Sequence, residues 1–163
     1  MAEDAREVLT WNDFGTASRE LAAEIIRSGF ETDVVVAIAR GGLQLAGGIA
    51  YALGVKNCGA VNAEFYTGVG TRLPEPIMMP PLLDEASIDG KKVLLVDDVS
   101  DSGRTLAMVV KMLEDMGAEV RSVCLYTKPG TVLEPTYTWR RTSLWITFPW
   151  SALPPVTPEE AAA

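Results

Sequence analysis

Hydrophobic residues in this chain follow two patterns, namely short continuous runs and longer segments in which apolar positions recur every three or four residues. A further strand is predicted over residues 119–126, where the apolar run is 123–126, and the other continuous runs cover residues 33–39 and 93–96. Runs of this length, rich in valine, leucine and isoleucine, are typical of strands that are buried on both faces in a parallel sheet. Residues 55–66 show a weaker form of the same pattern and predict one more strand.

The periodic segments predict three helices between these strands. The first covers residues 16–28 and ends at Gly29, and the third covers residues 106–116 and ends at Gly117. The second covers residues 41–55, which are too few and too rich in glycine for a membrane span and instead predict a buried helix. Alternating strands and helices favour an α/β fold, with a mostly parallel sheet, right-handed crossovers and helices on both faces.

One segment, residues 65–83, is interrupted by several glycines and prolines. Because these residues disfavour helix and sheet interiors, we expect little regular structure there. Long loops in compact domains often cover a binding site, and the glycines near the start of this one would allow it to close. The segment is therefore predicted to be a lid or binding loop.

Composition indicates a compact enzyme-sized domain. The chain has 163 residues, of which 48% are hydrophobic and 22% are charged, so one domain with a real core is expected over residues 1–153. Residues 154–163 are predicted to be a disordered tail. The formal net charge of −8 argues against an extended nucleic-acid surface, so any phosphate site must be local.

Two residue types restrict the chemistry further. Cys58 and Cys124 lack the C-x-x-C spacing, and no secretory leader is apparent, which predicts reduced thiols in a cytoplasmic protein. The chain has no histidine, which excludes a Ser-His-Asp triad and a histidine-ligated metal. Acid–base chemistry is left to Asp, Glu, Lys or Tyr.

The most informative stretch is residues 93–106, where a predicted strand leads into Asp97, Asp98 and Asp101 and then into a turn of small residues that opens the third helix. Open α/β sheets bind ligands at the carboxyl ends of their strands, and amides at a helix N-terminus suit a phosphate. A phosphorylated sugar would satisfy both parts, because Asp97 and Asp98 can accept hydrogen bonds from vicinal hydroxyls. The candidate phosphate-binding residues are Asp101, Ser102, Gly103, Arg104 and Thr105.

This stretch resembles the phosphoribosyl pyrophosphate (PRPP) signature of the type I phosphoribosyltransferases. The resemblance implies that family's fold, with a small hood built from residues 1–14 and 129–153, and a homodimer or homotetramer. It also implies transfer of the phosphoribosyl group from PRPP with Mg²⁺, which Asp97 or Asp98 would touch through water. The alternative interpretation is a βα turn whose aspartates cap the helix and face solvent.

A second motif, Arg40-Gly41-Gly42, follows the predicted strand at 33–39. Glycines after a strand let backbone amides approach an anion, and the arginine adds further donors. In the family a short glycine-containing loop contacts pyrophosphate, often through an unusual peptide geometry before the glycine, so that role is assigned to these three residues. Arg72, in the predicted lid, could reach the pyrophosphate in a closed state. A plain turn and a solvated arginine are the alternatives.

The C-terminal third carries candidates for base recognition. Lys128 follows a predicted strand, and Trp145 and Ile146 open the pattern W-I-x-x-P-W. These features look like the bacterial xanthine-guanine phosphoribosyltransferases. By that resemblance Lys128 reads the 6-oxo group of a purine, Trp145 stacks on the ring and Ile146 supplies main-chain contacts. Trp150 is expected to pack, and an aromatic cluster that closes the core is the alternative for Trp145.

The reaction implied is displacement of pyrophosphate from the anomeric carbon by a purine nitrogen, as in salvage of guanine, xanthine or hypoxanthine. The family places a carboxylate like that of Asp101 opposite N7 of the purine, so Asp101 is predicted to be the general base; scaffolding or helix capping is its alternative role. Three other functions stay open: a pyrimidine or orotate transferase, a non-catalytic PRPP sensor on the same fold, and a phosphoacceptor or phosphatase domain that uses the Asp cluster.

Overall fold

The computed structural model describes residues 5–68, 71–78 and 85–163, and within these ranges it describes residues 64–68, 71–78 and 85 by their backbone alone. The strands are β1 (Arg6–Val8), β2 (Val34–Ala39), β3 (Cys58–Gly68), β4 (Thr71–Met78), β5 (Lys92–Ser100), β6 (Glu119–Thr127), β7 (Tyr137–Arg141) and β8 (Trp145–Thr147). The helices are α1 (Trp11–Arg27), α2 (Gly42–Leu53), α3 (Arg104–Asp115) and the short α4 (Pro158–Ala161), with a 3₁₀ turn at Glu85–Ser87.

The main sheet of the described residues has the strand order β4-β3-β2-β5-β6-β7. Its neighbours are parallel except for β3 and β4, which run antiparallel. The chain leaves β2 toward β3 on one side and leaves β5 toward β6 on the other. The boundary between β2 and β5 is therefore a topological switch point, where α/β sheets form a crevice for ligands.

Helices cover both faces of this sheet, as predicted. On one face α1 and α2 bury side chains such as Leu21, Ile25, Leu45 and Ile49. On the other face α3 contributes a second core cluster with Val109 and Leu113 among its members. Residues of β5 alternate between the two clusters, which is why the sequence of this strand is continuously apolar rather than alternating.

Helix α1 begins at Trp11, five residues before the predicted start at residue 16. A capping box stabilises this start, since the amide of Asp13 donates to Thr10 Oγ1 (3.1 Å) and the amide of Thr10 donates to Asp13 Oδ2 (3.3 Å). The intervening Asn, Asp and Gly residues have low helix propensity and conceal the first turn from a periodicity argument.

The prediction of little regular structure over residues 65–83 is wrong for much of that segment. Strand β3 continues to Gly68, and β4 pairs with it in a hairpin whose partners include Ala63 with Met78 and Gly68 with Thr71. β4 is the edge strand of the described sheet, and prolines are tolerated at an edge because half of the backbone N–H groups need no partner there. The lid role of this segment remains a prediction.

The terminal segments of the domain form a second, two-stranded parallel sheet in which β1 pairs with β8. Glu7 lies opposite Ile146, and the amide of Leu9 extends the pairing by donating to the carbonyl of Thr147 (3.0 Å). This small sheet corresponds to the expected hood. Beside it the rings of Phe148 and Trp150 stack at 4.9 Å, so Trp150 packs as expected.

Residues 151–163 are exposed throughout. Within the tail predicted to be disordered, α4 forms a single turn capped by Thr157, and the domain bound at residue 153 remains a prediction. No helix in the described ranges is both long enough and apolar enough to cross a membrane.

Candidate active site

Two loops meet at the switch point, one after β2 and one at the end of β5. A Cβ placed on Gly41 would collide with the carboxylate of Asp98, and a Cβ on Gly42 would collide with the carbonyl oxygen of Val96. Glycine at both positions therefore permits the backbone to approach the neighbouring strand. The peptide bond between Ala39 and Arg40 is cis. The structure thus brings the Arg40-Gly41-Gly42 motif against the acidic motif.

Strand β5 is longer than predicted, because it runs through the acidic residues to Ser100 instead of ending at Val96. Its pairing with β6 continues past this point, with Asp97 opposite Cys124 and Ser100 opposite Thr127. Asp97 and Asp98 are consequently held by the sheet and not by a free loop. Such pairing limits the range of positions that the two carboxylates can take.

The two carboxylates lie half-buried at the end of the strand and accept backbone hydrogen bonds. Asp97 Oδ1 accepts from the amide of Asp98 (2.8 Å), and Asp98 Oδ1 accepts from the amide of Val99 (2.7 Å). Burial raises the pKa of both carboxyl groups, and the adjacent charge of Asp98 raises the pKa of Asp97 further. A cation or a set of hydroxyl donors would stabilise the ionised pair.

The phosphate-loop candidates surround a cavity of about 250 Å³ beside this pair. Its lining residues are Ile38, Ala39, Ala63, Asp97, Val99, Ser100, Asp101, Ser102, Gly103, Thr105 and Leu106. Arg104 lies at the first position of α3 and its side chain is exposed. Asp101 is exposed at the loop bend, which leaves its carboxylate open to a ligand.

A support for the phosphate loop was missed by the sequence analysis. Thr131 Oγ1 lies 2.7 Å from Ser100 Oγ and donates to the carbonyl of Leu133 (2.9 Å), while the amide of Val132 donates to the carbonyl of Ser102 (2.8 Å). Gly103, with φ at +75°, packs directly against this support. No local sequence signal links positions 100 and 131, because the contact exists only after β6 has been placed beside β5.

The base-recognition candidates lie at the hood. The amide of Lys128 donates to the carbonyl of Ser100 (2.9 Å), and its Nζ donates to the carbonyl of Leu144, the residue before Trp145. Trp145 is 71% exposed, so much of its indole surface is open, whereas Ile146 is buried in β8. The structure thus connects Lys128 to the phosphate loop on one side and to the segment that carries Trp145 on the other.

A larger cavity, of about 1080 Å³, lies beside Asp98. It is lined by Arg40, Gly41, Gln44 and Asp98 and also by Trp11 and residues 148–156. The side chain of Arg72 lies outside the described residues, so its role is still a prediction.

The carboxylates of Asp97 and Asp98 fit the coordination chemistry of a magnesium ion. Carboxylate oxygens are suitable ligands for Mg²⁺, directly or through water. The described residues contain no cluster of three or more His, Cys, Asp or Glu side chains that could hold a metal ion. Asp97 or Asp98 would contact a metal bound here, directly or through water.

Residues 4–154 match the model of the family described as the phosphoribosyl transferase domain. The chain is 32% identical over 153 residues to a xanthine-guanine phosphoribosyltransferase of Gluconobacter oxydans, with 92% of this chain and 87% of the relative covered. The corresponding enzyme of Cereibacter sphaeroides is 31% identical over 147 residues, with 87% and 84% covered.

Solved structures give the same result. The crystal structure of a purine phosphoribosyltransferase from Pyrococcus horikoshii superposes with a TM-score of 0.79 at 34% identity, and the match covers 93% of this chain and 98% of that one. The match therefore spans nearly the full length of both chains.

Proposed function

This chain belongs to the phosphoribosyl transferase domain family, and we propose that it transfers the 5-phosphoribosyl group from PRPP to a 6-oxopurine base with release of pyrophosphate. The observation that carries the proposal is the contact between Gly41 and Asp98 at the switch point. This contact sets the proposed pyrophosphate loop and the phosphate loop around one carboxylate pair, an arrangement suited to a ligand with phosphates at both ends of a sugar.

The base preference is supported by two kinds of observation. The relatives from Gluconobacter and Cereibacter are named for xanthine and guanine, and the Pyrococcus protein is named for purines. In this chain Lys128 lies beside Leu144, the neighbour of the exposed Trp145. Lysine has three N–H donors, so one can hold the Leu144 carbonyl while another reaches the 6-oxo group of a purine stacked on the indole.

In the proposed reaction N9 of the purine attacks C1′ of the ribose, the bond from C1′ to the pyrophosphate oxygen breaks, and configuration at C1′ is inverted. Asp97 and Asp98 accept hydrogen bonds from the ribose hydroxyls and hold C1′ in place. The amides and hydroxyls of residues 102–105 bind the 5′-phosphate. Mg²⁺, when bound, neutralises charge on the leaving pyrophosphate.

Asp101 completes the proposed reaction by accepting the proton from N7 as N9 bonds to C1′. Its exposed carboxylate lies at the rim of the small cavity, next to the loop that would hold the phosphate. Arg40 and the amides around Gly41 and Gly42 bind the pyrophosphate as it departs. The products are a purine nucleoside monophosphate and pyrophosphate.

Location and assembly are part of the proposal. Cys58 and Cys124 are free thiols, one exposed and one buried, which is in keeping with a reducing compartment such as the cytoplasm. A homodimer or homotetramer is proposed from the family resemblance. Sedimentation equilibrium of the purified protein measures this directly, and a monomer at all concentrations would contradict it.

The test of the function is release of pyrophosphate in the presence of PRPP and Mg²⁺, with guanine, xanthine, hypoxanthine, adenine, uracil and orotate supplied in turn. Turnover is expected with one or more of the three 6-oxopurines and not with the other bases. Turnover on uracil or orotate alone would indicate a pyrimidine enzyme. Binding of PRPP without turnover on any base would indicate a sensor, and absence of PRPP binding would overturn the proposal.

A further inference from the structure

Residues 128–133, which follow β6, form a bridge from the proposed base-binding residue to the proposed phosphate loop. The bridge begins at Lys128, whose amide donates to the carbonyl of Ser100 (2.9 Å). Farther along, the amide of Val132 donates to the carbonyl of Ser102 (2.8 Å). Two main-chain hydrogen bonds therefore connect the bridge to the loop that follows β5.

These two hydrogen bonds determine the direction of two N–H groups in the loop. The peptide bonds that follow Ser100 and Ser102 are trans, and a trans peptide group points its C=O and its N–H in opposite directions. Because both carbonyls point toward the bridge, the N–H groups of Asp101 and Gly103 point away from it. No described residue accepts a hydrogen bond from either N–H group, so both are available to a ligand.

The small cavity lies on the side of the loop to which these N–H groups point. Residues 100–103 of the loop are part of its lining, whereas none of residues 128–133, all of which the structure describes, contributes to it. The loop consequently lies between the bridge and the cavity. Donors that point away from the bridge therefore face the place where the proposed function puts the 5′-phosphate.

The hydroxyl of Thr131 connects the bridge to the loop by a side-chain contact as well. Thr131 Oγ1 donates to the carbonyl of Leu133 (2.9 Å), so Ser100 Oγ, 2.7 Å away, is the donor within the hydroxyl pair. Ser100 is buried, and hydrogen bonds that are shielded from water hold their geometry more firmly. Although Ser100 lines the cavity, its proton is used by Thr131, which leaves phosphate binding to the neighbouring amides and hydroxyls.

We propose that Thr131 is a positioning residue, which acts through the bridge to orient the N–H groups of Asp101 and Gly103 toward the 5′-phosphate. Since the bridge begins at Lys128, the same segment also sets the distance between the phosphate loop and the base. A nucleoside monophosphate carries both groups on one ribose, so the site must hold them at one separation. The inference rests on the proposed function, which places the 5′-phosphate in the small cavity.

The test uses Thr131→Val, which keeps the shape of the side chain and removes its hydroxyl, and measures the Kd of ribose 5-phosphate by titration calorimetry. We expect the Kd to rise about 3- to 10-fold, the change that corresponds to one hydrogen bond. The Kd of Mg²⁺-pyrophosphate should stay at the native value, because the Arg40-Gly41-Gly42 motif packs against Val96 and Asp98 instead. Thr131→Ser keeps the hydroxyl and should restore native binding of ribose 5-phosphate.

Steady-state kinetics provide a readout that a purely structural role would not change. In Thr131→Val the KM for PRPP should rise by a similar factor, while the KM for the purine stays within about twofold of native, since the main-chain bond of Lys128 is retained. Thr136→Val is the matched control. It removes a hydroxyl that accepts from the amide of Ser122 (3.1 Å), outside the bridge, so it should lower the melting temperature without changing either KM.

Ser100→Ala is an independent second variant, because it removes the other member of the hydroxyl pair. It should raise the Kd of ribose 5-phosphate by about the same factor as Thr131→Val does. The double variant should bind about as weakly as either single variant, since both substitutions remove the same hydrogen bond. Additive losses in the double variant would contradict a shared role.

Native affinity of Thr131→Val for ribose 5-phosphate would overturn the inference, and so would an equal loss of affinity for Mg²⁺-pyrophosphate. Either result could occur while the native protein still transfers phosphoribosyl groups, which leaves the proposed function intact. If the native protein itself binds neither PRPP nor ribose 5-phosphate, the proposed function fails and the inference with it.

Discussion

Residues 97–105, which carry the proposed ribose- and phosphate-binding groups, form one continuous segment, whereas the proposed base-binding groups, Lys128 and Trp145, come from separate segments joined at the hood. In the first region β5 continues to pair with β6 as far as Ser100, and the loop that follows is supported by Thr131 and Val132. The second depends on two three-residue strands and exposes 71% of Trp145. Substitutions in the first region are therefore expected to affect the reaction or the fold, and substitutions in the second to affect mainly the choice and affinity of the base.

The largest expected effect comes from Asp101→Asn. Loss of a general base typically lowers turnover by about 10²–10⁴-fold, and the amide cannot accept the purine proton. Steady-state kcat with a 6-oxopurine and saturating PRPP measures the change. Asp115→Asn, at the exposed C-terminal end of α3, is the matched control and should retain native kcat. Nearly native turnover of Asp101→Asn would remove Asp101 from the catalytic role.

Gly103→Ala tests how rigidly the phosphate loop is held. The new Cβ would collide with Thr131 Oγ1 and lie 2.9 Å from the amide nitrogen of Leu133. In addition, the backbone φ of residue 103 is +75°, in the left-handed region. Overpacking costs about 1–3 kcal/mol and the left-handed conformation about 1–2 kcal/mol more. Gly54→Ala has nearly the same φ, +71°, in open space, so it isolates the conformational cost.

Urea unfolding gives the free energies of unfolding of the two glycine variants. Gly103→Ala should be less stable than Gly54→Ala, by about the overpacking cost of 1–3 kcal/mol. Equal decreases in the free energy of unfolding of the two variants would show that Thr131 moves aside at little cost. That result would weaken the contrast between a rigid phosphate-binding region and a less rigid base-binding region.

Trp145→Ala tests the base side. Stacking of a base on an aromatic ring is worth about 1–3 kcal/mol, so the KM for the purine should rise about 5- to 150-fold while the KM for PRPP stays near native. The exposed position predicts little loss of stability. Tyr51→Ala, at an aromatic residue that is 94% exposed on α2, serves as the control. An equal rise in both KM values would contradict a role confined to the base.

The smallest expected effect is on stability, from Asp97→Asn. Burial and the charge of Asp98 raise the folded-state pKa of Asp97 above its unfolded value. The ionised form therefore disfavours folding, so this residue makes the native protein less stable as pH rises from the unfolded pKa to the raised folded pKa. The asparagine variant lacks this contribution and should melt higher at neutral pH, by about 2–4 °C for each kcal/mol gained.

The predicted direction of this stability change can be checked by measuring melting temperatures without metal, at acidic and at neutral pH. The measurement compares Asp97→Asn with the native protein. The difference should be larger at neutral pH than below the unfolded pKa of an aspartate. A variant that is less stable than native at neutral pH would show that the charged pair stabilises the fold. Activity of Asp97→Asn should fall, because the amide is a poorer acceptor for the ribose hydroxyls.

The sequence predicted those parts of the fold whose signal is local. Strand β2, residues 93–96 of β5 and residues 123–126 of β6 are continuous apolar runs because both faces of the sheet are covered, and Gly29 and Gly117 mark helix ends by their left-handed backbone. The hairpin of β3 and β4 was missed because its prolines and glycines conceal an edge strand. Likewise the start of α1 was missed because its signal is a capping box and not a periodicity.

The same distinction holds for the site. The acidic segment and the Arg40-Gly41-Gly42 motif each consist of consecutive residues, so the chemistry of each could be predicted from the sequence. The fold then brings the two motifs together. Thr131 contacts a loop about 30 residues earlier in the chain. Features of this kind depend on packing between distant segments, which composition and spacing do not encode.

The most direct test of the account is identification of the product formed from PRPP, Mg²⁺ and a 6-oxopurine by the native protein. Mass spectrometry and proton NMR should find a purine nucleoside monophosphate with an N9 glycosidic bond in the β configuration, in a one-to-one ratio with pyrophosphate. Pyrophosphate accompanied by free ribose 5-phosphate, or the absence of any product, would contradict the claim that this site joins a purine to a phosphoribosyl group.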